Sequence, residues 1–173
     1  EEAASRDMAE EAAFLKHTAD NLLKRVDQLA SSRASERRAV LEEAEAKYTL
    51  ALAASTEAAL RPTAPTLASN LTPALYANRS YARLRMAGCC GVWSAPSKLH
   101  EAIADCDSAL NLQPGYLKCI YRRGLAHLAL ASPPLATPGS AQQAEELSRS
   151  ISDLREVMRL EPHNKSAGRW LDA

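Results

Sequence analysis

Lys118 and Arg122 stand four residues apart, and on a helix that spacing puts both cations on one face. Two such cations can meet two carboxylates held within a few ångströms of each other. The guanidinium offers a planar fork to one carboxylate, and the ammonium acts as a movable point charge. Taken alone, a pair of this kind usually marks a solvated helix face. Asparagine adds a neutral element to the same chemistry, because its amide donates to a carboxylate oxygen and also accepts from a backbone N–H. Asn21 and Asn78 both fall inside helical patterns. The neighbours Arg122 and Arg123 hint at phosphate binding, but two arginines on a charge-balanced chain are weak evidence for it. His100, His127 and His163 are scattered and read as structural. No nucleophile–base pair, metal-ligand cluster or phosphate loop is visible, so catalysis, a metal and a cofactor are not expected.

Composition narrows the field further. The chain has 173 residues, with 21 Lys+Arg against 21 Asp+Glu and a formal net charge of zero. A dedicated nucleic-acid binder would carry a basic excess or stripe. No run of about 18 apolar residues is present, so no membrane span is expected, and no secretory signal is visible at the start. The chain begins at Glu1 rather than methionine, as an excised piece of a longer protein would. The cysteines Cys89, Cys90, Cys106 and Cys119 form no CxxC pair and lack histidines at zinc spacing. Cys106 and Cys119 fall at helix-core positions, where a free thiol serves as a small hydrophobe. Cys89 and Cys90 sit in an apparent loop. Together these features suggest reduced thiols in a cytoplasmic protein.

The elements that must hold these residues are helices. Met8, Ala12, Leu15, Ala19, Leu22, Val26 and Leu29 recur at steps of three and four and predict a first helix over 5–30. A polar gap at 31–35 leads to a second helix over 36–60, which Arg61-Pro62 ends. A loop containing Pro62, Pro65 and Pro73 precedes a third helix over 72–87. The stretch 88–97 has turn composition, and a fourth helix follows over 97–112 with Ser97 as its N-cap. Pro114-Gly115 turns the chain into a fifth helix over 115–131. A Pro-rich loop leads to a sixth over 140–160, and residues 163–173 start a seventh.

The helices repeat a pattern. Ala102, Ile103, Asp105, Cys106, Ala109, Leu110, Leu112 and Pro114 are matched in spacing by Ser150, Ile151, Asp153, Leu154, Val157, Met158, Leu160 and Pro162. Ala44, Tyr48, Ala51 and Leu52 form a weaker third copy. A small residue, a bulkier one four places on, an apolar pair and a proline make the back half of a helical-hairpin repeat. Such repeats build concave binding surfaces, so the function to expect is recognition.

Leu75-Tyr76-Ala77-Asn78-Arg79-Ser80 followed by Ala102-Ile103-Ala104-Asp105-Cys106 resembles the second repeat of tetratricopeptide (TPR) domains. Lys118 through Ala126 resembles the start of the third, and Asp153-Leu154 through Asn164 resembles its end. Asn78 to Arg122 spans 44 residues and Pro114 to Pro162 spans 48, against about 34 in the usual repeat. The excess falls in two inserts, 88–97 and 132–140. The resemblance implies an all-α fold of three TPR-like hairpins in a right-handed superhelical solenoid, with a truncated capping helix. The repeats are expected at 5–60, 72–113 and 114–162, with a linker at 61–71 and the capping helix starting at 163–173.

Within TPR domains the chain is similar to the co-chaperone type that grips the acidic C-terminal tail of Hsp90 or Hsp70. That grip, a carboxylate clamp, takes a Lys and an Asn from the first helix, an Asn from the third, and a Lys and an Arg from the fifth. By this resemblance Asn78, Lys118 and Arg122 are the third- and fifth-helix members. His17-Thr18-Ala19-Asp20-Asn21 aligns with the family's Lys-x-x-Gly-Asn, making Asn21 the first asparagine and placing His17 where the family has lysine. Lys16 lies one residue away and could substitute for it. If His17 does the binding, peptide affinity rises as pH falls toward about 6. Asp20 adds a negative charge that the family pattern lacks. The expected function is a non-catalytic module binding such a tail. The alternative is a scaffold that holds another partner through its groove or inserts.

Overall fold

The computed structural model describes residues 2–60, 66–88 and 95–171. Among them are seven helices and no strand: α1 (Glu2–Gln28), α2 (Ala34–Ala59), α3 (Thr66–Ala87), α4 (Pro96–Leu112), α5 (Leu117–Ala131), α6 (Ala141–Leu160) and α7 (Lys165–Leu171). They fall into two compact units, one ending at Ala82 and the other beginning at Arg83, so that α3 contributes to both.

In the first unit α1 and α2 form a hairpin. Ala9, Ala12 and Ala19 on α1 and Ala44, Ala51 and Ala58 on α2 are buried, and methyl side chains let two backbones approach closely. Leu23, Val26, Val40 and Leu41 fill the wider space toward the turn. Each such residue is worth about 1.5–3 kcal/mol when fully buried. Ser5 Oγ donates to the Ala58 carbonyl at 3.3 Å and ties the start of α1 to the end of α2. α3 lies against α2 through Ser55 and Thr72, whose hydroxyls are 2.8 Å apart, and through Arg79, which donates to Thr49 Oγ1 at 3.1 Å.

α3 starts earlier than its sequence suggested. The expected linker 61–71 overlaps it from Thr66 onward, and Pro73 lies inside the helix rather than in a loop before it. Proline removes one backbone donor from the ladder. Here Pro73 is itself buried, and Leu75, Ala77 and Ser80 bury the turns that follow. Residues 61–65, with Pro62 and Pro65, lie outside the described residues, as do 89–94 of the expected insert with Cys89, Cys90 and Trp93.

The second unit packs the last turn of α3 with α4 and α5. Leu84, Ala87, Leu99, Ala126, Ala129 and Leu130 form one apolar cluster. α4 is capped by Ala95, with Pro96 at its first position, where a missing N–H costs nothing because that donor has no helical partner. Ser97, the expected cap, therefore falls inside the first turn. α5 begins at Leu117 rather than 115 because Gly115 takes a φ of +80°, a left-handed conformation that a right-handed helix excludes. α6 is capped by Ser140, whose hydroxyl accepts from the Gln143 N–H at 3.1 Å. A second cluster of Ile120, Leu154, Val157 and Ala167 joins α5, α6 and α7.

α5 and α6 cross closely at Gly124. A Cβ placed there would lie 3.1 Å from Asp153 Cβ and 3.4 Å from Leu154 Cγ, so this position has no room for a longer side chain.

Candidate functional site

α1 places Lys16, His17, Asp20 and Asn21 on two adjacent i,i+4 rows. Lys16 Nζ sits 2.6 Å from Asp20 Oδ2, with both side chains roughly a quarter exposed (25% and 28%). Asp20 Oδ1 accepts from the Tyr48 hydroxyl at 2.5 Å and from Asn78 Nδ2 at 3.0 Å. One carboxylate thus gathers a lysine from its own helix, a phenol from α2 and an amide from α3. The Tyr48 residue is fully buried, so its hydroxyl anchors the carboxylate. On the neighbouring row Asn21 Nδ2 lies 3.1 Å from His17 Nε2, and both residues are exposed.

The first-unit residues expected at the site therefore form two pairings instead of one cluster. Asn78 is drawn to Asp20, with Lys16 on the other oxygen, while His17 and Asn21 satisfy each other. Sequence reasoning flagged the charge of Asp20 but missed its partners. Lys16–Asp20 was readable as a helical i,i+4 ion pair. Tyr48 and Asn78 reach Asp20 only through the tertiary fold.

In the second unit Lys118 and Arg122 occupy one face of α5, with Lys118 exposed and Arg122 partly buried. Arg123 points elsewhere. Its Nε and Nη2 close on the two oxygens of Asp153 in α6, at 2.9 and 2.7 Å, and its Nη1 meets Asp107 of α4 at 2.6 Å. The bond to Asp153, ahead of that to Asp107, holds its guanidinium pKa above the ordinary arginine value. Arg123 is a tie between three helices, and the apparent Arg122-Arg123 pair resolves into one structural residue and one at the candidate site. Between Lys118 and Arg122 lies the buried Cys119. A hydrogen bond with Cys106 pulls its thiol pKa below the usual cysteine range; burial opposes the shift, and the charge of Arg122 adds to it.

His127 is buried and paired with Glu146 of α6, Nδ1 to Oε2 at 2.6 Å, whereas His100 and His163 are exposed. Among the described residues no group of three or more His, Cys, Asp or Glu side chains is placed to hold a metal ion. No described helix is long and apolar enough to cross a membrane. A groove of about 1060 Å³ runs past Leu110, Ile120, Leu147, Ile151, Arg155 and Arg159, and neither Lys118 nor Arg122 lines it. A smaller cavity of about 360 Å³ is lined by Tyr121 of α5 with Ser166, Arg169 and Trp170 of α7.

Comparison with known proteins gives these features a context. No protein-family model matches the chain. The FK506-binding protein-like proteins of Rattus norvegicus and Homo sapiens are each 33% identical to it over 66 residues, 38% of this chain and 15% of theirs. The Mus musculus protein of the same name is 32% identical over the same length. The chain thus matches only a small part of these relatives. Among solved structures it is similar to the first TPR of Spaghetti (RPAP3) bound to HSP90 peptide SRMEEVD. The TM-score is 0.54 at 23% identity, covering 95% of this chain and 92% of that one. With the all-helical architecture described above, that likeness establishes that this chain has the fold of a tetratricopeptide-repeat domain.

Proposed function

We propose that the domain is a non-catalytic recognition module that binds the acidic C-terminal tail of Hsp90 or Hsp70, as part of a co-chaperone or assembly factor. The observation that carries this reading is the shared fold with a TPR domain whose structure holds an HSP90 peptide ending in Glu-Glu-Val-Asp. Lys118, exposed one helical turn before Arg122 on α5, supplies the chemistry such a tail requires. The two cations take the terminal carboxylates, while Asn78, Asn21 and His17 read the peptide through hydrogen bonds. Each charge-assisted bond is worth about 1.5–3 kcal/mol. Several of them, less the cost of ordering the peptide, give micromolar affinity, about −8 kcal/mol.

The accompanying repeat assignment is 5–60, 72–113 with its first helix reaching back to Thr66, and 114–162, with inserts at 88–97 and 132–140 and the capping helix from 163. The buried free thiols of Cys106 and Cys119 fit a reducing, cytoplasmic setting. The engagement of Lys16 by Asp20 favours a second reading, a TPR scaffold that holds a different partner through its groove or inserts.

Charge reversal separates the two readings. Lys118→Glu or Arg122→Glu places a repelling charge beside the tail and should weaken a fluorescently labelled Met-Glu-Glu-Val-Asp peptide at least about a hundredfold, some 2.7 kcal/mol, in an anisotropy titration. Circular dichroism would check that each variant remains folded. An unchanged affinity in both variants contradicts the tail-binding reading and supports the scaffold.

A further inference from the structure

The carboxylate of Asp20 is already doing to Lys16 and Asn78 what a bound tail would have to do. Its Oδ2 holds the Lys16 ammonium at 2.6 Å, and its Oδ1 takes the Asn78 amide N–H at 3.0 Å. A carboxylate offers about four lone-pair sites, and these two partners with the Tyr48 hydroxyl occupy three of them. The hydroxyl of the fully buried Tyr48 donates to the same carboxylate, a third bond that Asp20 would break in swinging away. The ammonium and the amide each have further N–H groups beyond the one given to Asp20, but an arriving carboxylate that used them would sit a few ångströms from the like charge of Asp20, which already neutralises Lys16.

We propose that Asp20 is a specificity-setting residue, a built-in competitor for the ligand's carboxylate. By neutralising Lys16 and repelling a second carboxylate beside Asn78, it disfavours anionic groups there. This inference rests on the tail-binding reading above. With Asp20 in place, Asn78 keeps its Nδ2 on Asp20 and presents Oδ1, an acceptor suited to a backbone N–H of the peptide. The part of the ligand read by the first unit is then its neutral backbone. The acidic groups of the tail depend on Lys118 and Arg122.

The test is a double-mutant cycle on Asp20 and Lys16, read by calorimetry with Met-Glu-Glu-Val-Asp as free acid at low and at physiological salt. Asp20→Asn retains an acceptor for Tyr48 and Asn78 but removes the charge that holds Lys16. It should tighten the free acid about tenfold and steepen the salt dependence, because a lysine is released to the ligand. Lys16→Met should then weaken the Asp20→Asn protein about ten times more than it weakens the unsubstituted one. Thermal melts would confirm that all four proteins are folded.

Tightening by Asp20→Asn together with that coupling supports the proposal, and so does binding seen only once Asp20 is neutralised. Binding that Lys118→Glu abolishes but Asp20→Asn leaves unchanged or weaker overturns the proposal and spares the tail-binding reading. No binding by either the unsubstituted protein or Asp20→Asn overturns both.

Discussion

Arg123 on α5 closes a two-pronged grip on Asp153 of α6, with N–H donors 2.9 and 2.7 Å from its two oxygens, while its immediate neighbour Arg122 shares the helix face of Lys118. Adjacent residues on a helix point about 100° apart. The same side chain can therefore be a structural tie at one position and a candidate ligand contact at the next.

Removing Arg123 should cost stability. Asp153 is only 9% exposed, and without its arginine it becomes an uncompensated charge in a poorly solvated place. Arg123→Ala is expected to destabilise the fold by about 3 kcal/mol, a fall in Tm of about 6–12 °C for a domain of this size. Urea denaturation and thermal melts would measure it. Lys118→Ala, which truncates an exposed side chain on the same helix, should lower the Tm by far less, and equal losses would contradict the structural role of Arg123.

Gly124 sets how closely α5 and α6 can approach. Alanine there gains helix propensity of about 1 kcal/mol but meets Asp153 Cβ at 3.1 Å, so the two effects should roughly cancel. Gly124→Leu has no such balance and should destabilise by about 1–3 kcal/mol through overpacking. A chemical-denaturation series over Gly, Ala and Leu would test this, and a stable Leu variant would show that the crossing can open without cost.

Tyr48→Phe keeps the buried ring and deletes only the hydroxyl that donates to Asp20. The loss should be about 1.5 kcal/mol, the low end for a hydrogen bond to a charged group, because Asp20 retains Lys16 and Asn78. Tyr48→Ala removes the largest fully buried side chain among the described residues and should cost about 3–5 kcal/mol, as for other buried aromatics. Guanidinium melts of both variants would test the contrast, and equal losses would mean that the hydroxyl, not the ring, holds α2 in place.

Much of this architecture was legible in the residue order. Apolar steps of three and four located the helices, and the repeated small–bulky–apolar pattern from Ala102 and from Ser150 pointed to hairpin repeats. Errors arose where local rules competed. Pro73 argued for a loop but was absorbed into α3, where it is itself buried and Leu75, Ala77 and Ser80 bury the turns after it. Ser97 was the better capping residue, yet Pro96 claimed the first helical position and moved the cap to Ala95.

At the candidate site the i,i+4 pairs Lys16–Asp20 and Lys118–Arg122 could be read from spacing alone. The link from Asp20 to Asn78 could not, because it joins residues 58 apart in the chain. The charge on Asp20 stood out from the sequence, but the groups it neutralises emerge only when α1, α2 and α3 pack together.

Titration calorimetry with Met-Glu-Glu-Val-Asp, once as the free acid and once as the C-terminal amide, tests whether the domain reads a terminal carboxylate. The proposed function predicts micromolar binding of the acid and its loss with the amide, because the amide removes one of the two charges that Lys118 and Arg122 are proposed to meet. Equal binding of the two peptides, or no binding of either, would contradict it.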